Sequence, residues 1–295
     1  MKEHILGALQ GKILVCDGAM GTMLQEKGLS LGECPEYWSI TKPKTVTEIH
    51  KKYVEAGADI ILANTFGANR VKLGKFNLEN KIKEINIEGV KNARAAANKG
   101  VFVAGNIGPT GQLIEPLGFL KESDALGVFM EQAGYLAEGG ADLIVIETMI
   151  SIEETVMAAK AAKKTKLPVI AMMTFNLNNG DVRTVMGVDA QTMVKQLEDT
   201  GVDIVGSNCG HGIESMVEIV RAIKKETSRF VMAEPNAGLP VLKDGKIIYD
   251  GTPELMASYV GQLIEAGANI VGGCCGTTPA HIKLIKKEIE RRNKK

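Results

Sequence analysis

Eight short apolar runs recur along the 295 residues, and they restrict the chain to very few folds. They are Ile13–Cys16, Ile60–Ala63, Val101–Ala104, Leu143–Ile146, Val169–Met173, Ile204–Val205, Phe230–Ala233 and Asn269–Val271. Each is continuous rather than alternating, as a strand buried on both faces should be. Helical patterns of Ala, Glu, Lys and Leu separate most of them, such as Lys83–Ala97 and Ser151–Lys164. Four helix-to-strand junctions echo one another: Glu55-Ala56-Gly57-Ala58-Asp59, Glu138-Gly139-Gly140-Ala141-Asp142, Asp199-Thr200-Gly201-Val202-Asp203 and Glu265-Ala266-Gly267-Ala268-Asn269. The glycine in each is a natural helix C-cap. Eight such units close into a barrel; an open doubly wound sheet is the competitor. The sequence has no GxGxxG and no P-loop, so nothing points to a nucleotide-binding open sheet. The expected fold is α/β, a single (β/α)8 TIM barrel with residues 1–295 as one domain.

Composition removes several classes of partner. At 45% hydrophobic and 24% charged, the chain has enough apolar material for a large core. Thirty-five basic residues balance thirty-five acidic ones, so net charge points to neither nucleic acid nor a membrane surface. The segment Met1-Lys2-Glu3-His4 opens nothing resembling a signal peptide, and no run approaches the roughly 18 apolar residues of a membrane helix. Five cysteines, two of them adjacent, suit reduced thiols in the cytoplasm better than a disulfide scaffold. The basic tail Lys286–Lys295 reads as the solvated end of a last helix.

A barrel places its active site at the carboxyl ends of its strands. Here those ends carry Asp17, Asn64, Asn106, Glu147, Thr174, Cys209, Glu234, Asn236, Cys274 and Cys275, so polar and reactive side chains collect on one rim. A free cysteine is ordinarily a small buried hydrophobe. Three of them ending strands six and eight are what a soft metal such as zinc requires. Adjacent strand residues point to opposite faces. The glycines around Cys274 and Cys275 permit the irregular backbone that lets both converge with Cys209. Three protein sulfurs leave one position open, which is a catalytic arrangement. Such a centre is too electron-rich to polarise a carbonyl, but it lowers the pKa of an incoming thiol. Cys16 reads as strand packing and Cys34 as a loop thiol.

Asp17 opens the turn Asp17-Gly18-Ala19-Met20, whose N–H groups suit a carboxylate while its side chain faces an ammonium. Glu147 follows four apolar residues, where a carboxylate is rarely buried without a cationic partner. Asp17 has a duller reading, as a turn aspartate. Together Asp17 and Glu147 fit a zwitterionic amino acid that carries a thiol. Asn208 and Asn236 both read most simply as loop hydrogen-bonders, and Asn236 could also supply a weak oxygen ligand when substrate is absent. His4, His50, His211 and His281 show no metal spacing and read as surface or structural residues.

The combination Asp17-Gly18-x-x-Gly21-Thr22, Asn64-Thr65-Phe66, Gly105-Asn106-Ile107-Gly108-Pro109-Thr110-Gly111, Asn208-Cys209 and Gly272-Gly273-Cys274-Cys275-Gly276-Thr277-Thr278-Pro279 resembles the zinc-dependent homocysteine S-methyltransferases. The stretch Asn64–Leu73 and the Glu234-Pro235-Asn236-Ala237-Gly238 motif are most similar to the N-terminal homocysteine module of cobalamin-dependent methionine synthase. This resemblance implies zinc on Cys209, Cys274 and Cys275. It implies L-homocysteine bound through its sulfur, its amino group near Asp17 and Glu147, and its carboxylate at Gly18, Ala19 and Met20. The implied donor is a methylcorrinoid such as methylcobalamin on a separate protein or domain. S-Methylmethionine, betaine or a methylamine are the other donors, and a non-catalytic barrel with structural zinc is the rival of another class. Betaine users share Glu36-Tyr37-Trp38 but have a tyrosine where this chain has Gly67, which removes a wall of an aromatic cage. The barrel pattern ends near residue 290, so the expectation is either a lone module or a fragment of a longer synthase.

Overall fold

The computed structural model describes residues 4–30, 32–243 and 246–293, so Met1–Glu3, Lys294 and Lys295 of the terminal readings lie outside it. Eight parallel strands form the core: β1 (Leu14–Val15), β2 (Ile60–Leu62), β3 (Phe102–Ile107), β4 (Leu143–Met149), β5 (Val169–Met173), β6 (Ile204–Asn208), β7 (Phe230–Glu234) and β8 (Ile270–Val271). They pair in the order β1-β8-β7-β6-β5-β4-β3-β2. A parallel bridge from Cys16 to Ile60 returns β1 to β2 and closes the ring. Each strand feeds one long outer helix: α1 (Pro43–Glu55), α2 (Ile82–Ala96), α3 (Glu122–Glu138), α4 (Ile152–Lys163), α5 (Ala190–Asp199), α6 (Ile213–Glu226), α7 (Pro253–Ala266) and α8 (Pro279–Asn293). The expected (β/α)8 barrel is the fold of the chain.

Continuous apolar runs follow from two cores that share the strands. Leu14, Ile60, Phe102, Leu143, Ile170, Ile204, Met232 and Ile270 point inward and fill the barrel, into which a short helix, Ile5–Ala8, also packs. Their strand neighbours Val15, Ile61, Val103, Ile144, Val169, Val205, Val231 and Val271 point outward against the helices. Burying one such side chain contributes roughly 1.5–3 kcal/mol.

The four sequence echoes have one physical cause. Gly57, Gly140, Gly201 and Gly267 adopt φ of 99, 89, 81 and 114°, the left-handed turn that ends a helix. Two residues on, Asp59, Asp142, Asp203 and Asn269 accept the N–H of Val15, Val103, Val169 and Val231 at 2.9, 2.8, 2.8 and 2.9 Å. Each acceptor therefore ties its strand to the start of a neighbouring one. Asp203 also pairs with Lys163 at 2.9 Å. Asp203→Ala strands a partly buried N–H and is expected to cost about 1–3 kcal/mol in urea unfolding. Asp203→Asn keeps an acceptor and should cost less; equal losses would contradict this account.

Candidate metal and amino-acid site

The carboxyl end of the barrel opens into a cavity of about 340 Å³. Asp17, Gly18, Ala19, Met20, Glu147, Cys209, Cys274 and Cys275 all line it. The ligand atoms of Cys209, Cys274 and Cys275 lie within 4.8 Å of one another, a grouping with no further histidine, cysteine or carboxylate among the described residues. Cys209 reaches this place from the end of β6 through a left-handed backbone, φ 63°, a strained conformation for a cysteine. The pair is aimed by its backbone: Cys274 N–H donates to Pro235 O at 2.8 Å, and Ala237 N–H donates to Cys275 O at 2.9 Å. Gly276 then turns at φ 80°, with the Tyr249 ring where a side chain would stand.

The donor set suits zinc. Hydrogen bonds from Cys274 and Cys275 hold the Cys209 thiol well below the ordinary thiol range, whereas Cys274 is pushed up. Three thiolates this close would repel one another, and a divalent cation is what would hold all three ionised. Asn236 is buried beside them; its Nδ2 donates to Gly210 O at 2.9 Å, while its Oδ1 is buried without a partner among the described residues. An orphan amide oxygen beside three thiols fits a weak fourth donor. Cys16 and Cys34 are not drawn in: their thiols face Asp17 Oδ1 at 3.7 Å and Glu36 Oε2 at 3.2 Å.

Around the thiols the cavity is acidic. Asp17, 4% exposed, accepts Leu62 N–H on Oδ2 at 3.0 Å, and burial raises its carboxyl well above the usual range. Glu147 is raised to about 7 by burial, which outweighs the hydrogen bond from Asn106. Asn106 Nδ2 donates to its Oε1 at 2.6 Å, and Asn208 Nδ2 to its Oε2 at 3.1 Å. Asn208 Oδ1 also accepts Thr148 N–H at 2.7 Å, where Thr148 has φ 61°. Asn208 is therefore not a loop residue but a buried strap between β4 and β6.

Glu234 is the residue that sequence reasoning undervalued. It is 2% exposed, lines the same cavity, and rises through burial and the charges of Glu147 and Asp17. Its carboxylate lies over Gly272, where a Cβ would come within 2.9 Å of Oε1. Three mutually repelling carboxylates in one pocket make a receptor for a cation. Its signal was present in Glu234-Pro235-Asn236, where a charged residue directly ends an apolar strand. In the opposite turn, Ala19 N–H donates to Thr277 Oγ1 at 3.1 Å. That engages one of the three expected amides and leaves Gly18 and Met20 N–H without a protein acceptor among the described residues. The Tyr53 hydroxyl pins the turn from behind, donating to Ala19 O at 3.0 Å and Thr277 O at 3.2 Å.

A closed parallel barrel whose mouth joins three convergent thiols to a nest of buried carboxylates defines a barrel with a candidate metal site at its carboxyl end. The chain belongs to the homocysteine S-methyltransferase family, whose sequence profile matches residues 14–289. Methionine synthase of Mycobacterium leprae is 32% identical over 308 residues, covering 98% of this chain and 25% of that protein. Methionine synthase of Mycobacterium tuberculosis is 33% identical, covering 95% of this chain and 25% of that protein. The chain thus spans about a quarter of the length of these relatives. The crystal structure of the homocysteine methyltransferase MmuM from Escherichia coli in its metallated form superposes with TM-score 0.79 at 24% identity. That superposition covers 96% of this chain and 99% of MmuM, a likeness of fold.

Proposed function

We propose that this barrel, residues 1–295, methylates the sulfur of L-homocysteine to give methionine, with zinc held by Cys209, Cys274 and Cys275. The observation that carries the reading is the convergence of those thiols with an orphan Asn236 oxygen at the edge of an acidic cavity. Zinc bound there would lower the pKa of the substrate thiol and keep it anionic near neutral pH. The chain's own residues position the substrate. Asp17 and Glu147, with Glu234, take the ammonium; the N–H groups of the Gly18–Met20 turn take the carboxylate. Asn106 and Asn208 fix the Glu147 carboxylate, so its oxygens are oriented before substrate arrives. In the transfer, a new S–CH3 bond forms as the bond from methyl to donor breaks, and the bond pair leaves with the donor.

For the donor we infer a methylcorrinoid on a separate protein or domain. Support comes from the rim: Leu117 and Phe119 after β3, Val185 after β5, and Leu239 after β7 expose 67, 97, 67 and 53% of their surface around the mouth. Apolar side chains so placed suit a macromolecular carrier. Structural zinc fits less well, since a closed site needs a fourth strong ligand and the described residues offer none. Reduced thiols suit the cytoplasm. Among the described residues, no helix is long and apolar enough to cross a membrane.

The test is anaerobic: zinc-loaded protein with L-homocysteine and methylcobalamin, following decay of the methylcobalamin spectrum and appearance of methionine. Zinc-dependent methionine supports acceptor and donor class together. If homocysteine binds without turnover, free methylcobalamin is not the donor, and S-methylmethionine, a methylamine or a corrinoid held on a dedicated protein is tested in its place. Asp17→Asn and Glu147→Gln each remove one charge-assisted contact of about 1.5–3 kcal/mol, so KM for homocysteine should rise roughly 10- to 100-fold. Bound zinc should be unchanged. An unaltered KM in both variants would remove the ammonium assignment.

A further inference from the structure

Among the described residues the cavity wall carries four carboxylates, Asp17, Glu36, Glu147 and Glu234, and no lysine or arginine. A cation nevertheless stands at its edge. The Lys72 side chain leaves the short helix Arg70–Gly74, crosses Gly67, and ends between the loops that follow β2 and β3. A Cβ on Gly67 would lie 3.2 Å from Lys72 Cδ; one on Gly111 would lie 3.7 Å from Lys72 Cε and 3.4 Å from Lys75 Nζ. The Lys72 ammonium sits 4.4 Å from the centroid of the Phe66 ring. That ring lines the cavity and packs over Gly108.

Lys72 is half-buried, yet it forms no ion pair among the described residues. Three carboxylates act on it from a distance, Glu36, Glu154 and Glu147, and each is already held by other donors. Glu36 accepts Gly67 N–H at 2.7 Å and the Cys34 thiol at 3.2 Å. Glu154 accepts Thr110 N–H at 2.7 Å and its hydroxyl at 2.6 Å. Burial of this ammonium outweighs the charges of those carboxylates and pushes its pKa down, and an oxyanion in direct contact would restore the balance. Homocysteine is matched elsewhere, its ammonium by the buried carboxylates and its own carboxylate by the turn after β1. The ligand that remains is the second substrate.

We propose that Lys72, with the exposed Lys75 behind it, binds an oxyanion carried by the methyl donor. The inference rests on the methyltransferase reading above and specifies the donor side of the same cavity. Two kinds of donor carry such a group: a sulfonium amino acid has a carboxylate, and a cobalamin has a phosphodiester in its nucleotide arm. Phe66 would then lie between that anion and the transferring methyl.

The test is equilibrium dialysis of the zinc-loaded chain without homocysteine, so that no acceptor consumes the donor. Two matched pairs serve as probes: methylcobalamin against methylcobinamide, which lacks the phosphate, and S-methyl-L-methionine against its methyl ester. Wild-type protein is expected to hold the oxyanion-bearing member of one pair at least about tenfold more tightly, as one charge-assisted hydrogen bond provides. Lys72→Met should abolish that preference and Lys72→Arg should keep most of it, with thermal melts confirming that both variants fold. The pair that responds identifies the source of the anion. No preference by wild type in either pair overturns the proposal, as does a preference that survives Lys72→Met. Homocysteine binding, measured separately by X-ray absorption at zinc, should be equal in wild type and Lys72→Met. Its loss in wild type would count against the acceptor assignment.

Discussion

Replacing Cys274 with alanine is expected to abolish methyl transfer and stoichiometric zinc while leaving the barrel folded. Structural zinc sites bind with about 10–16 kcal/mol. Removing one of three protein ligands should therefore cost on the order of 3–5 kcal/mol, roughly 10²- to 10⁴-fold in affinity. Fold stability should barely move. Cys274 is only half-buried, and the contacts that shape its loop are made by backbone: its N–H to Pro235 O at 2.8 Å and its carbonyl from Thr277 Oγ1 at 2.7 Å. Truncating the thiol leaves both in place, so the cost should stay within about 1 kcal/mol. Chelator competition reads the affinity, circular dichroism melting reads the fold, and methionine formation reads the chemistry. Cys209→Ala and Cys275→Ala should behave alike. Unfolding of all three variants would mark the zinc as structural, and retention of zinc by any of them would remove that thiol from the ligand set.

The two kinds of information in this chain differed in how far sequence could carry them. The strands were legible because burial on both faces leaves unbroken runs such as Val169–Met173, where expected and observed limits coincide. Elsewhere strands ran past their expected ends. β3 continues through Asn106 to Ile107, and β6 continues through Asn208. In both, a polar residue read as a strand terminator (Asn106) or a loop hydrogen-bonder (Asn208) is a buried strut for Glu147. Periodicity sees polarity, and a polar residue satisfied inside the barrel looks the same as one in solvent. The hairpin Asn176–Asn178 with Asp181–Arg183 did carry a signal, Asn179-Gly180, whose φ of 51 and 84° match a two-residue turn. The cysteine trio was legible because glycines and motif spacing travel with it. What no run of letters displayed is backbone strain at Thr148 and Cys209, since left-handed geometry at a non-glycine residue is imposed by contacts distant in sequence.

Acid should destabilise this protein through His50, and a leucine there should remove that sensitivity. His50 lies on α1 with no solvent exposure, and neither ring nitrogen has a hydrogen-bond partner among the described residues. Burial alone lowers its pKa to about 3. The folded value therefore lies below the unfolded value of about 6.5, so protons bind preferentially to the unfolded chain. Stability from the neutral ring is complete above about pH 6.5 and is lost as pH falls toward 3. At pH 5.0 the loss amounts to about 2 kcal/mol, from 1.36 kcal/mol per unit over roughly one and a half units. The buried carboxylates respond in the opposite direction. Asp17 and Glu147 have raised pKa values, so their contribution is present at low pH and declines as pH rises. Their effect cancels when His50→Leu is compared with wild type at the same pH, because the substitution leaves them untouched. At pH 7.5 the variant should equal or exceed wild type, since leucine has similar bulk and no orphan nitrogens, each worth about 1 kcal/mol or more when buried unpaired. At pH 5.0 the gap should widen by about 2 kcal/mol in favour of the variant. Urea unfolding at the two pH values measures it, and a gap that does not change between them would show that His50 finds a proton partner inside the fold.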